Sequence, residues 1–169
     1  MHAQTAFRLA IAAAACLAGS ALAATAQVEF DHPEKFTDAG RPHLLNDAKS
    51  NCAILEQHIV EEAARTLPAD ETLAITVTDV DLAGAYEPWQ PVSREVRIVK
   101  DIYPPRIDLR FRLTRADGAL VKEGERSLRD PGFLTGTKGF SGDALRYEKV
   151  MLDEWMEKEF GAPQRAAAR

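Results

Sequence analysis

The chain has 169 residues, 46% of them hydrophobic and 28% charged, with a formal net charge of −5. That length suits one domain with its own core rather than two. The acidic balance argues against nucleic acid as a partner, because affinity for a phosphate backbone comes from Lys and Arg neutralising it.

The first 26 residues read as a cleavable secretory signal. Arg8, with His2, gives a weakly positive start, and Leu9 to Ala18 is an apolar run. Two small-x-small sites follow, Ala21-Leu22-Ala23 and Ala24-Thr25-Ala26. Cleavage is expected after Ala26, because an alternating strand starts at Val28. The apolar run falls short of the about 20 residues that a membrane anchor needs. No transmembrane segment is therefore expected after its removal, and the expected location is periplasmic or secreted. Cys16 would be the acylated residue of a lipoprotein, but no Leu stands three residues before it. Loss of Arg8 with the leader makes the remainder one unit more acidic. A single cysteine, Cys52, is then left, so the domain has to hold together by its core rather than by a disulfide.

Val28 to Asp31 forms a first short strand, closed by Asp31-His32-Pro33. Residues 35–41 read as loop. Pro42 suits the first turn of a helix, and Leu45, Ala48, Cys52, Leu55, Ile59 and Ala63 then repeat at helical spacing up to Leu67-Pro68. Leu73, Ile75 and Val77 alternate in a second strand. Strand, long helix, strand is the pattern of a parallel crossover. Residues 82–91, rich in turn formers, follow as a loop. Val96 and Ile98 mark a third strand, broken by Pro104-Pro105. In a fourth, Ile107, Leu109, Phe111 and Leu113 oppose Arg106, Asp108, Arg110 and Arg112. Asp117-Gly118 is a hairpin signal, and Leu120 to Leu128 returns as a fifth strand. Residues 129–143 form a Gly-rich loop, from which Asp143 caps a final helix with Leu145, Leu152, Trp155, Met156 and Phe160 on one face. The tail from Gly161 to Arg169 has little to bury and is expected to be disordered.

The predicted fold is therefore α+β in two layers over residues 27–160. One mixed, mostly antiparallel sheet of about five strands is covered on one face by the long first helix and the C-terminal helix. The helix-facing side is expected to hold Val28, Phe30, Ile75, Val77, Ile107, Leu109 and Phe111.

No catalytic, metal or nucleotide motif is complete. Gly139-Phe140-Ser141-Gly142-Asp143 lacks the second glycine of a nucleophile elbow. Gly132, Gly136 and Lys138 lack phosphate-loop spacing. Cys52 lies on an apolar stripe and reads as core. His32, His43 and His58 show no ligand spacing, and Asp79-x-Asp81 lacks the further oxygens of a calcium loop. No cofactor or metal is expected. A two-residue turn at Asp117-Gly118 sets Arg112 opposite Glu123 and Arg110 opposite Glu125, as cross-strand ion pairs; it also turns Lys122 and Arg126 towards Phe111. Tyr86 and Trp89 lie in a loop with Glu87. There they form either an interaction surface or, for Trp89, a plug over the core.

Four blocks, KFTDAGR (35–41), VTDVDLAGAYEPW (77–89), DIYPPRIDLRFRL (101–113) and LRYEKVMLDEWMEKEF (145–160), resemble the bacterial DUF3016 family across nearly the whole mature chain. The resemblance implies an exported protein and supplies no catalytic residues. The expected role is a non-enzymatic binding or envelope-assembly module, with another envelope protein as partner. The alternatives are a small enzyme using carboxylates such as Asp79 and Asp81, or a weak metal or small-ligand carrier. If the second to fifth strands form an up-and-down meander, one sheet edge gathers Asp31, His32, Asp79, Asp81, Tyr86, Glu87 and Trp89 as the candidate interaction edge, and the Asp117-Gly118 turn lies there too. By analogy with open α/β sheets, ligands bind outside such strand ends.

Overall fold

The computed structural model describes residues 24–41, 44–87, 89, 96–136 and 142–161. The expected leader up to Ala23, Pro42, His43, Pro88, Pro91, Lys138, Ser141 and the tail from residue 162 lie outside them. The elements run β1 (Thr25–Phe30), a 3₁₀ turn (Pro33–Lys35), α1 (Leu45–Thr66), β2 (Glu71–Asp81), β3 (Arg106–Arg115), β4 (Leu120–Arg129) and α2 (Arg146–Phe160). The fold is α+β, with one open four-stranded sheet ordered β1-β2-β3-β4. β1 and β2 are parallel, joined through α1, and the other neighbours are antiparallel.

Apolar alternation decides which face is covered. Leu73, Ile75 and Val77 of β2 and Ile107, Leu109, Phe111 and Leu113 of β3 are buried with Leu55, Ile59 and Ala63 of α1 and Leu152, Trp155 and Met156 of α2. Val28 and Phe30 pack at the margin of this core. Phe111, Trp155 and Phe160 meet edge-on, with ring centres 5.5–5.7 Å apart, a geometry aromatic pairs favour. Cys52 is buried, and burial pushes its thiol up to about 11, which suits a small apolar side chain rather than a nucleophile.

The five-strand expectation is corrected to four. Val96 and Ile98 build no strand; Ile98 makes one isolated bridge to Ala85 within the same connection. Pro104 and Pro105 offer no N–H to a ladder, and Arg97 turns inward between the two apolar residues. Gly84 permits the bridge: its φ is +83°, and a Cβ there would stand 2.7 Å from the Ile98 carbonyl oxygen. With that strand gone, β3 pairs directly with β2. The Asp117-Gly118 turn therefore lies at the opposite end of the sheet from Asp81, not at the candidate edge.

Two bulges set the details. Val77 faces Leu109 but Asp79 faces Asp108, so Thr78 is an extra residue in β2. The bulge switches the alternation: Val80 enters the core, and Asp79 and Asp81 turn to the open face. At the hairpin, the Arg115 amide bonds the Ala119 carbonyl and the Gly118 amide bonds the Arg115 carbonyl, so the loop is one residue longer than expected. Leu113 faces Lys122 while Thr114 faces Leu120, so Val121 bulges and restores the register. Arg112 then opposes Glu123 and Arg110 opposes Glu125, as the sequence predicted. Lys122 and Arg126 do turn to the helix face, where both reach Glu159 of α2 at 2.6–2.8 Å. The Arg126 hydrogen bonds pull the Glu159 carboxyl down to about 2.

α2 begins at Arg146, later than the Asp143 cap implied. Asp143 instead bonds the Leu145 amide at 2.9 Å and Lys149 at 2.6 Å. Among the described residues, no helix is long and apolar enough to cross a membrane.

Candidate functional site

The end of the sheet where β2 finishes and β3 starts is assembled from the four sequence blocks. Residues 37–39 extend the sheet beside β2: Asp38 donates its amide to the Val80 carbonyl and accepts the Leu82 amide on its own carbonyl. This places Thr37 over Asp79. The Thr37 amide and hydroxyl each reach that carboxylate at 2.7 Å, and Arg106 at the start of β3 reaches it at 2.6 Å. Asp79 is thus a clamp between three segments.

Arg97 is the hub of the connection between β2 and β3. Its two terminal nitrogens donate to the Asp38 carboxylate at 2.9 and 2.7 Å. One of them also reaches the carbonyls of Leu82 at 3.3 Å and Gly84 at 2.9 Å. The guanidinium lies 4.6 Å from the centre of the Tyr86 ring. A planar fork with five donors satisfies such a set, whereas Lys would not. Nearby, Glu87 is only 1% exposed. Its Oε1 accepts from Lys100 at 2.5 Å and from the Tyr103 hydroxyl at 3.2 Å.

Glu148 of α2 closes the inner side. It is 1% exposed, and its Oε1 accepts the Ala83 amide at 2.6 Å. Its Oε2 has no hydrogen-bond partner among the described residues. Burial raises this carboxyl above the usual range, and the Ala83 amide only partly offsets that. Asp81 is also raised, first by burial and then by the neighbouring Asp38 charge, against the opposing pull of Arg106. Asp38 and Asp81 line a cleft of about 300 Å³ with Tyr103, Arg106 and Arg129.

The seven candidate residues separate into four places. Asp79 and Asp81 sit on the open face at the end of β2. Tyr86 and Glu87 are held by Arg97, Lys100 and Tyr103. Asp31 and His32 sit further along the open face in exposed pairs, Asp31 with Arg110 at 3.8 Å and His32 with Glu34 at 3.1 Å. Trp89 is 69% exposed, so the plug reading is overturned in favour of a surface side chain. Val96 (55%), Ile102 (66%) and Val99 of the same connection are exposed as well. Sequence reading missed Asp38, Arg97, Arg106 and Glu148. Glu148 left a signal, since it interrupts the apolar stripe between Leu145 and Leu152.

Among the described residues no group of three or more His, Cys, Asp or Glu could hold a metal ion. His58 instead bonds Asp153 at 2.6 Å and ties α1 to α2.

The arrangement defines a class: a small two-layer α+β domain with one polar sheet face and a long, ion-paired connection at one edge. The chain belongs to the family described as protein of unknown function (DUF3016), whose model matches residues 24–158. No curated protein and no solved structure matches it.

Proposed function

We propose that this chain is an exported, non-enzymatic binding module, and that an envelope protein docks on the connection between β2 and β3. The observation that carries this reading is that Trp89, Val96, Val99 and Ile102 stand exposed on a segment whose Glu87 is buried and whose Arg97 is turned inward onto Asp38. A rigid base under outward apolar side chains suits recognition. The acidic chain favours a partner with basic charge around its contact, which would also speed encounter.

The carboxylate-enzyme reading fits less well. Acid–base work by a pair needs two carboxylates free to exchange protons. Asp79 is engaged on both oxygens by Thr37 and Arg106, and Asp38 on both by Arg97. Of these three aspartates, Asp81 alone is left.

Export remains part of the proposal, with the cut moved to Ala23. β1 starts at Thr25 and Ala26 is buried in the core, so cleavage after Ala26 would remove the first two residues of the strand. Mass spectrometry of the exported protein should find Ala24 at its start; a start at Gln27 would restore the later site.

The docking test is photo-crosslinking in the envelope from position 96, with position 49 on the exposed side of α1 as control. The expected result is one discrete, identifiable adduct from position 96, absent from position 49 and lost in Trp89→Ala. Equal adducts from both positions, or no effect of Trp89→Ala, would reject the docking surface.

A further inference from the structure

Four side chains form a row across the sheet end. Register sets Asp38 beside Asp81, Asp81 beside Arg106, and Arg106 beside Arg129. Like charges placed directly opposite one another destabilise a sheet, and this row contains two such pairs where alternation would have relieved both. The relief is partial. Asp38 is neutralised by Arg97, and Arg106 by Asp79. The side chains of Asp81 and Arg129 make no hydrogen bond or ion pair with any described residue, though Arg106 and Arg97 act on Asp81 from further off. All four line the same cleft of about 300 Å³, whose far wall is Ile102, Tyr103 and Pro104.

We propose that this cleft binds a short zwitterionic peptide of dipeptide length, with its ammonium on Asp81 and its carboxylate on Arg129. The chemistry follows from one acid and one base in a single cleft, neither side chain with a contacting partner among the described residues. The length follows from the register. Adjacent strands lie about 4.8 Å apart, so the Cα atoms of Asp81 and Arg129 are separated by about 10 Å. The long Arg129 side chain shortens that gap. A dipeptide extends about 7 Å at roughly 3.5 Å per residue, whereas the charges of a free amino acid are one residue apart. Ile102 and Pro104 give its side chains an apolar wall. A bound ammonium also adds a contacting positive charge at Asp81, so affinity rises as pH rises through the Asp81 titration. The site shares Ile102 with the proposed docking surface but does not include Trp89.

The experiment is titration calorimetry of the exported protein with L-alanyl-L-alanine. Saturable binding is expected, weakened at least tenfold by N-acetylation, by C-amidation and by replacing the dipeptide with alanine. Asp81→Asn should abolish the preference for the free amine, and Arg129→Gln the preference for the free acid. Amide shift mapping on the wild-type protein, which needs no variant to fold, should move residues around 81–85, 102–106 and 129. Trp89→Ala should bind the dipeptide as wild type does, whatever becomes of partner docking. Absence of saturable binding, equal binding of the blocked peptides, or shifts elsewhere would overturn the proposal.

Discussion

Two connections join antiparallel neighbours in this sheet, and they are built on opposite principles. β3 returns into β4 through Ala116–Gly118, closed by backbone hydrogen bonds and a glycine at φ +83°. β2 returns into β3 only after residues 82–105. Antiparallel neighbours need about two to five loop residues, and much longer connections are usually functional when ordered. The short loop is held by local backbone chemistry. The long one is held by charge: Arg97 on Asp38, Lys100 on Glu87, and Glu148 under Ala83. The difference separates a join that fixes register from a segment that charge holds in place, the one on which the docking surface is proposed.

The strongest way to break the contrast is Arg97→Ala. It strips the partner from a mostly buried Asp38 and releases two carbonyls. A loss of about 3–5 kcal/mol is expected, as for other broken buried ion pairs, read by urea denaturation. Arg97→Lys should recover less than half of it. A loss below about 1 kcal/mol would show that charge does not hold the connection.

The two regions should also respond to pH in opposite directions. Glu148 has a raised carboxyl, so the unfolded chain releases this proton first. Stability from this group is present below its unfolded value and lost as pH rises towards its folded one. Glu148→Gln should retain the fold and remove that alkaline decline. Glu159, which ties α2 to β4, is depressed to about 2. Its contribution is present above the ordinary glutamate value, and fades as pH falls from there to about 2. Glu159→Gln should cost about 1–2 kcal/mol at neutral pH, allowing for solvent around Arg126 and Lys122, and little at pH 2. Thermal melts against pH for both variants check the pair; parallel profiles would contradict it.

Gly118→Ala tests the short loop. Nothing lies within 4 Å of a Cβ there, so only the left-handed backbone resists the change, at about 1–2 kcal/mol. Smallest of all should be Trp89→Ala, within about 0.5 kcal/mol of wild type in the same melts. A larger loss would make Trp89 structural and remove it from the docking surface.

Most of the layer arrangement was legible from alternation and helical spacing, because apolar side chains decide which face is covered. The cross-strand partners of Arg110 and Arg112 were legible too, since a turn propagates its register. What escaped was non-local or broke a period. Arg97 occupies the middle of Val96-Arg97-Ile98, where an alternating pattern assigns it to solvent; only the distant Asp38 explains its inward course. The Thr78 bulge was written in the shift from Leu73, Ile75 and Val77 to Val80, an odd-to-even change that a fixed two-residue period hides. Asp79 and Asp81 do lie together on the open face at the end of β2, but Asp31 and His32 depend on a part of the sheet face that alternation alone cannot position.

The parallel pairing of β1 with β2 has a consequence for the order of folding. β2, β3 and β4 pair with successive neighbours in the chain, but β1 has a hydrogen-bonded partner only after α1 has been traversed. Closing that loop costs chain entropy before any contact is gained. β1 should therefore dock late onto a meander already formed, and its amides should exchange with solvent before those of β3, which is flanked on both sides. The first residues to follow the expected leader would be among the last to find their place.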